Sequence, residues 1–441
     1  MEEKGAEKRE SVWAKEIAYG IPLWVYLILL GVVAVAVFTK RLPNNMVGAT
    51  AFLLVVAGIL NFIGDRIPIW KTWLGGGLIF VLVIGALLTY FNILPEGIVK
   101  AVSGFYYKPT NMLVWCITSL IVGSLLSMPR PYMTKALLLF LPSIVGSILF
   151  AYIFAYIGGL ITGFGGARAI LLIANPIEGG GLGAGAIPMS EIYSSVTGLS
   201  YEKIFSIIFP AVAFGNIVAI FFGSILNRIG KKKPEWTGNG LLIPKERWYP
   251  KEGLREKETP VTYKAIVGGW ALAVVILTLG YILAKWIPIH YFAITIILTA
   301  LLKWSGMLPN WVEQAAGHFY RFVAKGFYPA LMLGVGMIHL KLDGVIKALS
   351  SPQYIIIVIL VVFGAALGAA LVGKLFKLYP IESAIAGGLC MANMGGSGDI
   401  AVLASSHRLE LMPFAQISSR IGGALMLLIA QLTISILASA L

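Results

Sequence analysis

The sequence predicts an all-α polytopic membrane protein with about eleven transmembrane helices and two re-entrant helical hairpins. Three observations carry that prediction. Of 441 residues, 58% are hydrophobic and only 12% charged, about half the charged share of an ordinary soluble domain. Apolar runs of about 20 residues, enough to cross a hydrocarbon core of about 30 Å, recur along the chain. Two glycine-dense stretches interrupt that pattern, one in each half: Asn175-Pro-Ile-Glu-Gly-Gly-Gly-Leu-Gly-Ala-Gly-Ala-Ile-Pro188 and Met394-Gly-Gly-Ser-Gly-Asp-Ile400. A chain that breaks its helices at membrane depth must satisfy the freed backbone groups on a cavity or a polar ligand. Paired breaks in corresponding places point to the binding site of a transporter.

Residues 1–20 are a charged tail of mixed sign without a signal-peptide cleavage pattern. The first span, Ile21–Phe38, belongs to a segment 21–44 that stands apart from the rest. Four further spans follow, at Val47–Ile63, Gly75–Ile93, Met112–Met128 and Lys135–Leu160. A half-length apolar piece, Arg168–Ile177, then enters the first re-entrant loop (175–190), and Ile204–Ile225 closes the first half. Next comes a connection, 230–263, carrying Lys231, Lys232, Lys233, Lys245, Arg247, Lys251, Arg255 and Lys257. The positive-inside rule makes it cytoplasmic. With six spans before it, the N-terminus is expected in the cytoplasm and the C-terminus outside. The net charge of +14 is explained by this topology signal, and no nucleic-acid partner is expected.

The second half has spans at Ala265–Ile287, Tyr291–Leu302, Tyr328–Leu340 and Tyr354–Phe376. The half-length piece Tyr379–Asn393, a second re-entrant loop (391–405) and a last span, Phe414–Leu441, complete it. The segment Asn310–Phe327 is amphipathic and is expected to lie along the interface. Setting the first span aside leaves two units of five spans, 45–229 and 264–441, each with its glycine loop between its fourth and fifth spans. Five is odd, so the second unit enters the membrane from the opposite side, which makes an inverted repeat with opposed loops. Gly180 follows Val47 by about 133 residues, and Gly395 follows Ala265 by about 130.

Gly364 and Gly368, and Gly422 and Gly423, are spaced as helix-packing residues. The run Gly179-Gly-Gly-Leu-Gly183 is too dense to remain helical and is read as a binding loop. There glycine lets backbone N–H groups approach an anion, and a helix starting after each loop adds positive dipole. Dinucleotide binding is excluded by the lack of a βαβ pattern around the glycines. Charges at membrane depth are costly and functional by default. Arg420, inside the last span, can grip a carboxylate with two parallel hydrogen bonds. Gln416 and Ser419 beside it are secondary candidates. Arg408, with His407, sits in the connection after the second loop, where exposure at the interface is as good a reading as substrate contact. Arg130 reads as a topology charge. Asp399 is the candidate cation ligand, with Glu178 and Glu191 weaker ones that are equally readable as residues of a solvated vestibule; a carboxylate among carbonyls and hydroxyls suits Na⁺. His290 and His339 are assigned nothing. The two cysteines, Cys116 and Cys390, exclude a disulfide framework. No nucleophile–base pair, metal cluster or nucleotide loop is visible, so neither an enzyme nor an ATP-driven pump is expected. A membrane sensor using residues 230–262 for signalling is opposed by the shortness of that loop.

The stretches Asn175–Tyr193 and Met391–Leu403, with Met412–Arg420, resemble the two re-entrant loops and last span of the 2-hydroxycarboxylate transporter family. The length and span pattern agree over nearly the whole chain. The resemblance implies an elevator-type homodimer in the cell membrane that carries citrate, malate or related hydroxy acids. It implies coupling to Na⁺, with H⁺ symport or substrate exchange as alternatives, and no prosthetic cofactor. It also implies substrate contacts from Gly180, Gly181, Leu182, Gly183, Gly395, Gly396, Ser397, Gly398 and Arg420. Some citrate carriers of this family have asparagine and arginine where this chain has Leu182 and Met394. Fewer polar groups suit a dicarboxylate, so malate is favoured over citrate.

Overall fold

The computed structural model describes residues 16–72, 76–106, 110–128, 137–244, 259–287, 290–395 and 397–441, without the side chains of Thr72, Leu137, Ala184 and Ser397. Gly396, Arg130, the start of the tail and the basic residues from Lys245 to Lys257 lie outside the described residues.

Apart from a short ribbon pairing Glu16–Ala18 with Ile21–Pro22, the described regular structure is helical. Seven helices among the described residues are long and apolar enough to cross a membrane, and five shorter apolar helices accompany them. The expected span Tyr328–Leu340 is not separate: Asn310–His339 is one helical run of 30 residues. Its first part packs one face against the rest of its compact unit and leaves Trp311, Arg321 and Phe322 exposed. Glu313, Ala316 and Phe319 are buried, and Glu313 Oε2 pairs with Lys303 Nζ at 2.7 Å. Glu313 of the polar set turns inward, which is tolerable because the buried charge is paired, while Arg321 stays exposed.

The chain divides into two compact units, each drawing on both halves of the sequence. The first comprises Met1–Lys71, Gly76–Leu113 and Lys325–Ile338. Within it, Asn45 starts the helix Met46–Gly64 by accepting from the N–H groups of Val47 and Gly48. The helices Gly77–Tyr90 and Tyr328–His339 cross at glycines: a Cβ on Gly336 would lie 2.0 Å from the Leu82 carbonyl oxygen, and one on Gly85 would lie 2.6 Å from that of Leu333. Tyr106 donates to the Ala330 carbonyl at 2.6 Å and seals the same crossing.

The second unit, Thr72–Gly75, Val114–Ala324 and His339–Leu441, contains both glycine loops. Helices Leu137–Ile161 and Pro352–Leu375 pack against each other through Gly146, Gly364 and Gly368, where a Cβ on Gly368 would meet the Gly146 carbonyl at 2.2 Å. Small residues let the two backbones approach, the usual route to tight packing where lipid offers no hydrophobic drive. The helix Tyr201–Lys232 is 32 residues long, or about 48 Å at 1.5 Å per residue. Trp115, Trp270 and Phe319 form an aromatic cluster that joins the stretch after Met112 to the helices Tyr263–Leu283 and Asn310–Phe322. π-Helical turns occur at residues 119–123, 170–174, 182–186, 323–327, 384–389 and 418–422. Such turns leave carbonyls loosely paired and often mark functional positions.

Candidate substrate and cation site

Each half folds its glycine stretch as the sequence suggests, with a helical arm in, an irregular tip, and a new helix out. The first arm runs from Gly166 to Ile177, the tip spans Glu178 to Gly181, and helical structure resumes at Leu182 and continues to Thr197. In the second, Pro380–Leu389 leads to a tip, and the helix Ser397–Ser405 follows. Gly180, Gly181 and Gly395 have φ of +70°, +119° and +68°, where only glycine sits without strain.

The tips meet each other. A Cβ on Gly181 would lie 2.8 Å from the Met394 carbonyl oxygen, and one on Gly395 would lie 3.1 Å from that of Gly180. The first tip also rests on the last span, since a Cβ on Gly180 would sit 2.3 Å from the Ser419 carbonyl and 2.9 Å from the Gly423 Cα. A Cβ on Gly398 would lie 2.7 Å from Asn216 Oδ1 of the long helix. The loops, 215 residues apart by their matching glycines Gly180 and Gly395, are thus brought together with the N-terminal ends of two helices beside them. Gly180→Ala combines a left-handed backbone with a collision against fixed backbone, costing about 2–4 kcal/mol. It is expected to lower the melting temperature and depress uptake together; a variant with wild-type values of both would show that this close approach is dispensable.

Asp399 is fully buried. Its Oδ1 accepts from Asn393 Nδ2, and both carboxylate oxygens lie 3.0 Å from Ser419 Oγ. Asn393 Oδ1 accepts from the Gly395 N–H at 2.6 Å, Asn216 Oδ1 accepts from the Met394 N–H at 3.2 Å, and the Cys390 carbonyl is 3.2 Å from Ser419 Oγ. The oxygens gathered here are the Asp399 carboxylate, the Ser419 hydroxyl and the Cys390 carbonyl, while Asn393 turns its amide N–H towards Asp399. That chemistry fits a hard cation such as Na⁺ and not a soft metal.

Arg420 follows Ser419 directly, within the π-helical turn 418–422. Among the described residues its Nη1 makes only long contacts, 3.5 Å to the Ser124 carbonyl and 3.4 Å to Ser127 Oγ, and its guanidinium carbon lies 5.4 Å from the centre of the Tyr320 ring. Among the described residues it has no acidic partner. A guanidinium has five donors in a fixed fork, so most of the capacity of Arg420 is unspent.

Arg408 is placed differently from either expectation for it. It is neither at an exposed interface nor open to a substrate. Its Nε donates to Glu382 Oε1 at 3.1 Å, and its other nitrogens reach Thr237 Oγ1, Asn227 Oδ1 and the carbonyls of Ser406 and His407. Glu382 also accepts from Thr237 Oγ1 and the N–H groups of Gly238 and Gly240. The start of the connection between the halves is thereby tied onto the second re-entrant arm. Gln416 Nε2 lies 3.9 Å from Met412 Sδ. Glu178 is fully buried, with Ser147 Oγ donating to Oε2 at 2.9 Å and no partner for Oε1 among the described residues. Leu182 and Met394 are buried. His339 is buried 3.9 Å from Glu202.

Several residues the sequence did not single out complete the site. Asn393 and Asn216 hold the second tip. Asn175 ties the two arms of the first, donating to Tyr193 OH at 2.6 Å and to Thr433 Oγ1 at 2.9 Å while accepting from Tyr152 OH. An asparagine inside an apolar run was the available signal, since a buried amide needs several partners.

The chain matches the 2-hydroxycarboxylate transporter family over residues 18–432. It belongs to that family. It is 37% identical over 426 residues to the citrate/sodium symporter of Salmonella typhimurium, covering 95% of both chains. It is 34% identical to the Na(+)-malate symporter of Bacillus subtilis over 427 residues, covering 96% of this chain and 94% of the relative. It is 36% identical to the citrate transporter CitP of Lactococcus lactis subsp. lactis over 417 residues, covering 94% and 93%. As a member of the 2-hydroxycarboxylate transporter family, this multi-pass membrane protein is a transporter and not an enzyme.

Proposed function

We propose that this transporter moves a 2-hydroxycarboxylate, malate in preference to citrate, by symport with Na⁺. The observation that carries the reading is the adjacency of Ser419 and Arg420. Ser419 belongs to the oxygen cluster of Asp399, while the next residue offers an unspent guanidinium. An anion site and a cation site built one residue apart fill together, and the neutralised pair crosses more cheaply than a bare anion. In this reading the substrate carboxylates meet Arg420, the backbone of Gly180, Gly181 and Gly183, and that of Gly395, Gly396, Ser397 and Gly398. Asp399 holds the cation, and Glu178 is a weaker second candidate. The names of the relatives, two sodium symporters among them, support the coupling ion. Leu182 and Met394 at the meeting tips favour the smaller, less charged acid.

The inverted repeat, the opposed loops, a cytoplasmic N-terminus with an external C-terminus, and an elevator motion within a homodimer are part of the same proposal. Paired π-helical turns at 170–174 and 384–389, one in each incoming arm, support the repeat. The test is uptake of labelled malate and citrate into proteoliposomes under imposed Na⁺ or H⁺ gradients, with and without internal acid. Na⁺-driven uptake with malate the better substrate is expected. Drive by H⁺ alone or by internal acid alone would replace the coupling assigned here, and no uptake of either acid would overturn the reading.

A further inference from the structure

A second site lies away from the loop tips, in the same unit. An apolar groove of about 400 Å³ runs between the C-terminal ends of the helices Tyr201–Lys232 and Pro352–Leu375. Phe222, Leu226 and Ile229 form one wall, and Phe363, Leu367 and Leu371 form the other. Its floor is Ile381 and Ala384 of the second re-entrant arm. From Phe363 to Lys374 the helix rises about 16 Å, close to half of a hydrocarbon core of about 30 Å. The groove is therefore one leaflet deep.

One end is chemically distinct. Lys374 and Trp236 line it, with the Lys374 ammonium 6.0 Å from the centre of the Trp236 ring. Arg228, Lys231, Lys232, Lys233 and Lys377 are exposed on the helix ends and turns that adjoin it, against one exposed acid on the same stretch, Glu235. A tryptophan beside lysines at the end of an apolar channel is the pattern of a headgroup boundary, and the excess of cations selects for negative charge there.

We propose that this groove binds an acyl chain of an anionic phospholipid, with the headgroup held at Lys374 and Trp236. The one-leaflet length, apolar walls and single basic end match such a lipid, whose charge the cations at that end complement. The proposal requires only that the chain spans a membrane, and it is independent of the substrate assigned above. The occupant touches Ile381, next to Glu382, and Trp236, next to Thr237, so it lies against the contact that ties the connection to the second re-entrant arm.

The test is native mass spectrometry of the full-length protein with phosphatidylglycerol, phosphatidylcholine of the same chains, and oleate. The wild type is expected to retain phosphatidylglycerol over phosphatidylcholine. Leu367→Trp, which fills the groove, should remove that retention. Lys374→Glu, an exposed change that spares packing, should lower the preference by roughly fivefold or more. Equal retention of the two phospholipids, unchanged retention in both variants, or oleate held as well as phosphatidylglycerol would each overturn the proposal. So would crosslinking between two copies through Ala370→Cys, which would mean that a second chain covers the groove.

Discussion

Arg420→Ala is expected to lower malate uptake by at least about thirtyfold while leaving the protein folded. Truncating one member of a desolvated, hydrogen-bonded charge pair costs about 2–5 kcal/mol, and every 1.4 kcal/mol is about tenfold in affinity. Stability should survive because Arg420 gives up little within the chain: two long contacts to Ser124 and Ser127 and a ring face at Tyr320. Arg420→Lys keeps the charge but loses the fork, so it should bind substrate weakly with uptake between the two extremes. Arg408→Ala is the contrasting control. It strands Glu382, which is fully buried and paired to Arg408 at 3.1 Å, and breaking such a pair costs about 3–5 kcal/mol. The two arginines, twelve residues apart, thus separate function from fold. Normal uptake by Arg420→Ala, or a melting-temperature loss as large as that of Arg408→Ala, would remove Arg420 from the substrate site.

That contrast also shows what sequence could and could not supply. Both arginines follow the same glycine loop and both border polar residues, so pattern alone left Arg408 open between substrate and interface. What separates them is Glu382, far upstream of Arg408 in the arm leading to the loop, and Thr237 in the connection between halves. Partnerships of that length leave no periodic trace. The glycine tips were legible because a left-handed backbone needs glycine, and Asp399 and Arg420 stood out as candidates because charge at membrane depth is rarely idle. The joining of Gly181 to Met394 and the service of Asn393 and Asn216 were not, since each depends on a tertiary approach. The segment Asn310–Phe327 holds a partnership of the same kind. It reads as an amphipathic segment, yet Glu313 points inward to Lys303 while Arg321 stays exposed. Periodicity reports that a helix has two faces and does not say which one is buried.

Asp399→Asn is expected to uncouple the carrier from Na⁺. Asparagine keeps the size of the side chain and an oxygen to accept from Asn393, and Ser419 can still hydrogen-bond to it, so the second tip should keep its shape. What it loses is the formal charge of the cluster, and a hard cation is held by charge count as well as by oxygen number. The concentration of Na⁺ for half-maximal uptake should rise by roughly tenfold or more. Substrate affinity should fall mainly at low Na⁺, because in a linked pair of sites each ligand strengthens the other by the same factor. Ser419→Ala should act in the same direction and more weakly, removing one neutral oxygen donor. The linkage gives the prediction its sharpness: a defect in folding would lower maximal uptake at every Na⁺ concentration, whereas loss of a cation ligand shifts the curve along the Na⁺ axis. If the Na⁺ dependence of Asp399→Asn overlays that of the wild type, the cation is bound elsewhere, and Glu178, whose buried Oε1 has no partner among the described residues, becomes the carboxylate to vary.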